Sequence, residues 1–157
     1  MLTQESLNKI DVELAKYPEN QRRSAVMAAL RIAQEEKGWL PNELIEYVAD
    51  YLRIPPVQAL EVATFYGMYN IKPVGKYKLM ICTNLPCALS GSVDAADYLK
   101  SKLGINFGET SSDGKYTLIE AECMGACGDA PVVIVNNHKM CSRMTKEAID
   151  KKLAELQ

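Results

Sequence analysis

Four of the five cysteines in this chain fall into two close pairs, Cys82-Thr-Asn-Leu-Pro-Cys87 and Cys123-Met-Gly-Ala-Cys127, and each pair follows a stretch that reads as a β-strand. Four thiolates drawn from two loops require a fold in which those strand ends meet. All-cysteine coordination suits either a [2Fe–2S] cluster or a structural zinc. Zinc knuckles space their ligands about two to four residues apart, so the first pair, with four intervening residues, sits at the edge of that range and zinc stays open. A ferredoxin-type [4Fe–4S] site needs a dense Cys-x2-Cys-x2-Cys run, which is absent. A Rieske centre needs two histidines, and the chain has one, His138. Neither pair has the Cys-x-x-Cys spacing of a thioredoxin dithiol.

The 157 residues suffice for one ordinary domain or two small ones, and 48% hydrophobic content is that of a globular protein. The apolar runs, such as Val132 to Val135, fall far short of the roughly 18 residues that span a bilayer, and no secretory leader pattern opens the chain. The expectation is a soluble, cytosolic protein without direct membrane insertion. A disulfide framework fits poorly, because nothing marks secretion and the fifth cysteine would be left over. The net charge of −2, with Lys and Arg scattered among the acids, offers no basic stripe for nucleic acid.

Two rhythms divide the chain into a helical bundle over residues 1–72 and an α/β domain over 73–157. In the first, Leu7, Ile10 and Leu14 recur at helical spacing after Thr3, with Pro18 as the stop. Val26, Leu30 and Ala33 mark a second helix ending at Lys37-Gly38. Pro41 opens a third, with Leu44, Ile45, Val48, Ala49 and Leu52 as a broad apolar stripe, and Pro55-Pro56 opens a fourth running towards Phe65 and Tyr66. This is an antiparallel bundle with short connections.

Beyond the linker Lys72-Pro73-Val74-Gly75 the order becomes β, α, β, β, β, α. Tyr77 to Ile81 is a strand ending at Cys82. Val93, Ala96, Leu99 and Leu103 mark a helix closed by Gly104, and Tyr116 to Ala121 is a strand ending just before Cys123. Pro131 to Val135 and His138 to Met144 form a hairpin through a two-residue Asn136-Asn137 turn, which sets Cys141 opposite Val132 as a small apolar sheet residue and not a ligand. Thr145 caps a last helix carrying Ile149, Leu153 and Leu156. The fold class is therefore α+β, helices followed by a small α/β layer.

Several motifs together also resemble a known family. Glu36-Lys-Gly-Trp39-Leu-Pro41, Glu61-Val-Ala-Thr-Phe65-Tyr66, Cys82-x4-Cys87 and Glu122-Cys123-Met-Gly125-Ala-Cys127-Gly-Asp-Ala-Pro131 are similar, in order and over nearly the whole chain, to the 24 kDa subunit family of respiratory complex I, the NADH:quinone oxidoreductase. The resemblance implies a thioredoxin-like [2Fe–2S] ferredoxin domain after the bundle, with one cluster on Cys82, Cys87, Cys123 and Cys127. It implies electron exchange with FMN on a neighbouring subunit that also binds NADH, contacts with other peripheral-arm subunits, and a place in the cytoplasm or on the cytoplasmic face of the inner membrane. The chain itself shows no G-x-G-x-x-G fingerprint after a strand and hence no visible NADH or flavin site. Relatives in NAD-linked hydrogenases and formate dehydrogenases form the alternative, and a zinc-stabilised interaction module the alternative of another class.

Other residues carry plainer expectations. Trp39 reads as a packing anchor, and Phe65, Tyr66 and Tyr69 read as core. Arg22 and Arg23 read as a solvated or partner-facing helix start, His138 as exposed, and Glu120, Glu122 and Asp129 as solvated acids. Gly125 and Gly128 give the backbone close approach to the sulfurs, while Pro86 stiffens the first ligand loop and Pro131 directs the chain out of the second into the following strand.

Overall fold

The computed structural model describes residues 1–156, which divide into two compact units, Met1–Pro73 and a second from Val74 onward. The first unit is helical: α1 (Gln4–Leu14), a 3₁₀ segment (Glu19–Ala25), α2 (Val26–Lys37), α3 (Asn42–Leu52) and α4 (Pro56–Phe65). Thr3 caps α1 by accepting from the Ser6 N–H, and α2 stops at Gly38, which takes the left-handed conformation. Ile10, Leu30, Leu40, Ile45, Val48 and Leu52 form the fully buried centre of the bundle. Gln34 on α2 holds the segment after α4, donating from Nε2 to the Met68 carbonyl (3.0 Å) and accepting from the Asn70 N–H.

Two expectations for this unit fail. Helix α4 buries only Ala59 and Ala63, whereas Val57, Leu60, Phe65 (79% exposed) and Tyr66 lie on the surface. Of the three aromatic residues read as core, only Tyr69 is buried, and its hydroxyl donates to the Met27 carbonyl (2.8 Å). Apolar character alone does not say which face of a helix turns inward. Here the small residues permit close helix packing and the bulky ones are left outside. Arg22 is also more than a solvated residue. Its Nε donates to the Leu52 carbonyl (2.9 Å) and its Nη2 to the Tyr51 carbonyl (3.1 Å), so it caps the C-terminus of α3. Arg23 makes an exposed ion pair with Glu61.

The second unit is a four-stranded sheet in the order β2-β1-β3-β4, built from β1 (Tyr77–Cys82), β2 (Tyr116–Ala121), β3 (Val133–Val135) and β4 (Lys139–Cys141). Strands β1 and β2 are parallel, and the β1–β3 and β3–β4 pairs are antiparallel. Three helices accompany them: α5 (Leu85–Leu89), α6 (Ser92–Leu103) and α7 (Lys146–Glu155). Leu79, Ile81, Leu118 and Val133 of the sheet share a core with Ala95, Ala96 and Leu99 of α6 and Ile149 of α7. Gly75 leads into β1 where space is short, because a Cβ there would meet the Gly114 carbonyl oxygen at 2.9 Å.

The hairpin register differs from expectation. Val135 pairs with Lys139 and Val133 with Cys141, so the connection is the three residues 136–138, with Asn136 and Asn137 both at positive φ and the His138 N–H bonded to the Val135 carbonyl. The turn takes one residue more than a two-residue Asn-Asn turn would. Cys141 is nonetheless a buried sheet residue, opposite Val133 rather than Val132. Helix α5, not anticipated, has Pro86 in its first turn.

Arg22→Ala should lower stability in urea unfolding by about 1–2 kcal/mol, since two charge-assisted bonds to helix-end carbonyls are lost. Arg23→Ala should change it by no more than about 0.5 kcal/mol, the value of an exposed ion pair.

Candidate metal centre

The site rests on the parallel pair. Cys82 is the last residue of β1 and lies in register with Ala121, the last residue of β2. Both strands therefore end at the same edge, and the loops that follow carry Cys87 on one side and Cys123 and Cys127 on the other. The Cys82 N–H donates to the Val132 carbonyl (3.3 Å), which brings the exit of the second loop against the start of the first. Cys87 sits on α5, and Cys127 opens a short 3₁₀ turn, Cys127–Asp129.

Hydrogen bonds knit the two loops together. Thr83 Oγ1 donates to Glu120 (2.6 Å), and Asn84 Nδ2 donates to Glu122 (3.2 Å). These two acids, expected to be merely solvated, are the acceptors that tie the first loop to the second strand and its exit. The Asp129 carbonyl accepts from the Arg143 N–H and the Pro131 carbonyl from the Met144 N–H, fixing the far side of the second loop. Gly125 has φ +72°, a conformation that side chains rarely adopt, and its N–H points to Cys123 Sγ at 3.4 Å. Gly128 has no such constraint, and nothing lies near its missing Cβ.

All five cysteines are free thiols. Cys82 and Cys87 are buried, Cys127 is half-buried and Cys123 is exposed. The Cys87 thiol adjoins Cys82 and Cys127, and Cys127 in turn adjoins Cys123. Burial first, then the neighbouring thiols, pushes the Cys87 pKa up to about 11. That of Cys127 is also raised, chiefly by Cys123. A metal that takes Cys87 and Cys127 as ligands must displace their protons. Cys141 lies in the hydrophobic core behind the sheet, and His138 is exposed beside the hairpin turn. Among the described residues, no group of three or more His, Cys, Asp or Glu side chains is gathered tightly enough to ring a single metal ion. The donor set, four free thiols on two loops that leave one edge of the sheet, fits a sulfur-ligated group.

Comparison with known proteins gives the class. The chain belongs to the thioredoxin-like [2Fe–2S] ferredoxin family, whose model matches residues 10–157. Within that class it is 46% identical, over 151 residues, to the E subunit of the NADH-quinone oxidoreductase of Rickettsia felis, covering 96% of this chain and 90% of that one. It is 43% identical to the mitochondrial NADH dehydrogenase [ubiquinone] flavoprotein 2 of Dictyostelium discoideum, covering 86% of this chain and 55% of the longer relative. The fold recurs in an NAD⁺-reducing [NiFe]-hydrogenase at a TM-score of 0.73 and 20% identity, where this chain spans 90% of its own length and 24% of the other's. No helix among the described residues is long and apolar enough to cross a membrane.

In metal-free protein, alkylation at pH 8 should modify Cys123 at least about tenfold faster than Cys87, because one is exposed and the other is a buried, protonated thiol. Peptide mapping over a time course would measure both rates. Equal rates would mean that the first loop is open.

Proposed function

We propose that this chain is an electron-transfer subunit of an NADH:quinone oxidoreductase, holding one [2Fe–2S] cluster on Cys82, Cys87, Cys123 and Cys127. The observation that carries the reading is the register of β1 and β2, which delivers the two cysteine pairs to one edge. Family membership and the names of the relatives support it. When bound, such a cluster accepts and returns single electrons. The residues of this chain supply the rest: four thiolates, Gly125 with its N–H turned to a ligand sulfur, and loops cross-tied through Glu120 and Glu122 so that the sulfurs keep their places as charge changes.

In this reading NADH oxidation and FMN belong to a partner subunit, and the helical unit docks to it. Support comes from α4, where Val57, Leu60 and Phe65 recur at helical spacing on the exposed side while Ala59 and Ala63 face the bundle. Large apolar side chains left in water, here interleaved with the exposed Glu61 and Thr64, suit an interaction surface. Other peripheral-arm subunits complete the assembly, on the cytoplasmic face of the membrane. The second reading, a diaphorase subunit of an NAD-linked hydrogenase or formate dehydrogenase, is favoured by the hydrogenase fold match, but that match carries the fold alone.

Anaerobically purified protein should contain about two iron and two labile sulfide per chain, as a [2Fe–2S] centre requires, with one zinc and no sulfide as the outcome against it. Cys87→Ser should lose the visible spectrum and Cys141→Ser should keep it; the reverse would reassign the fourth ligand. Phe65→Glu should abolish copurification with the flavin subunit while leaving the spectrum intact. Unchanged copurification would move the docking surface elsewhere.

A further inference from the structure

Among the described residues, the Ser92 hydroxyl is the one buried side-chain polar atom without a hydrogen-bond partner, and Ser92 is 0% exposed. A buried hydroxyl left unpaired carries an uncompensated desolvation cost, so its persistence calls for a reason. Ser92 is the first residue of α6, and its position relative to the cysteines follows from the topology. Strand β1 runs into α5, and α6 begins two residues beyond it and packs back over β1, its Ala95, Ala96 and Leu99 meeting Leu79 and Ile81. A helix that joins two parallel strands must start at the edge where the first one ends. The start of α6 therefore lies at the cysteine edge. Two short bonds fasten it there: the Ser90 N–H donates to the Cys87 carbonyl and the Gly91 N–H to the Ala88 carbonyl, both at 3.0 Å.

The direction of the side chain follows from helix geometry, since each Cα–Cβ bond tilts towards the helix N-terminus. From the first residue of α6 this tilt carries the hydroxyl off the end of the helix, towards the segment that leads in from Cys82 and Cys87, which are themselves buried. No side chain caps α6, so its first-turn N–H groups and positive dipole end face the same way.

We propose that Ser92 is a positioning and tuning residue for the metal group, its hydroxyl donating a hydrogen bond to a sulfur of the bound cluster. This rests on the proposed [2Fe–2S] reading. A donor aimed at sulfur stabilises the charge gained on reduction and raises the reduction potential. The hydroxyl, which has no partner within the chain, would gain one from the bound group.

The test compares full-length wild type, Ser92→Ala and Ser92→Thr, each loaded with cluster and equilibrated with a redox dye at fixed potential. The iron and sulfide content of the wild type comes first, and its absence would remove the cluster reading itself. With the cluster present, Ser92→Ala should lower the ratio of reduced to oxidised centre about fivefold, the effect of one ordinary hydrogen bond, and Ser92→Thr should restore most of it. Pulsed EPR of the reduced protein in D₂O should lose the coupling of one exchangeable deuteron in Ser92→Ala only. An unchanged ratio with an unchanged deuteron coupling overturns the proposal. Should Ser92→Ala load poorly, thermal unfolding of the metal-free chains decides. Removal of an unpaired hydroxyl should leave the melting temperature equal or higher, and a fall would show that the hydroxyl is structural.

Discussion

The parallel pairing of β1 with β2 is the constraint on which the second unit depends. Parallel strands cannot be joined by a hairpin, so α6 must cross over the sheet between them, and both strands must then end at one edge. Register fixes the rest. With Leu79 beside Leu118 and Cys82 beside Ala121, the apolar residues of both strands face α6 and α7 while the cysteine-bearing loops leave together. A slip of one residue would turn the apolar set outward and move Cys82 out of step with the second loop. Core packing and ligand placement are thus the same requirement.

The electrostatics of that edge disfavour uncompensated thiolates at Cys87 and Cys127. Burial, first for Cys87, and neighbouring thiols, first for Cys127, hold these two pKa values up, which keeps negative charge from being buried there uncompensated. Metal binding releases the thiol protons and supplies compensating positive charge. The acids nearby are not free to add to the burden without compensation, because Glu120 and Glu122 already accept from Thr83 and Asn84. One set of hydrogen bonds both holds the loops and occupies the carboxylates.

In the helical unit the same separation of packing and surface holds on a smaller scale. Helix α3 buries five apolar residues and is capped by Arg22, a helix committed to the core. Helix α4 buries two alanines and shows its large residues to solvent. Only Ala59 and Ala63, with Val62 packed against the same cluster, join α4 to the bundle core.

Much was legible in the residues themselves. Thr3, Gly38, Pro41, Pro56 and Thr145 act through local backbone chemistry, so they fixed helix limits without knowledge of the fold. The paired cysteines pointed to a sulfur-ligated site because their spacing is short enough to read directly, and the hairpin reading made Cys141 a buried sheet residue, which it is. Tertiary structure decided what depends on distant partners. It chose the inward face of α4, gave Arg22 the carbonyls of a helix thirty residues away, and set the hairpin register through a three-residue connection. It turned Glu120 and Glu122 from apparent surface charges into loop ties, and left the Ser92 hydroxyl unpaired at the cysteine edge. Local propensity is a property of neighbouring residues, whereas burial and hydrogen-bond satisfaction are settled only when separate segments meet.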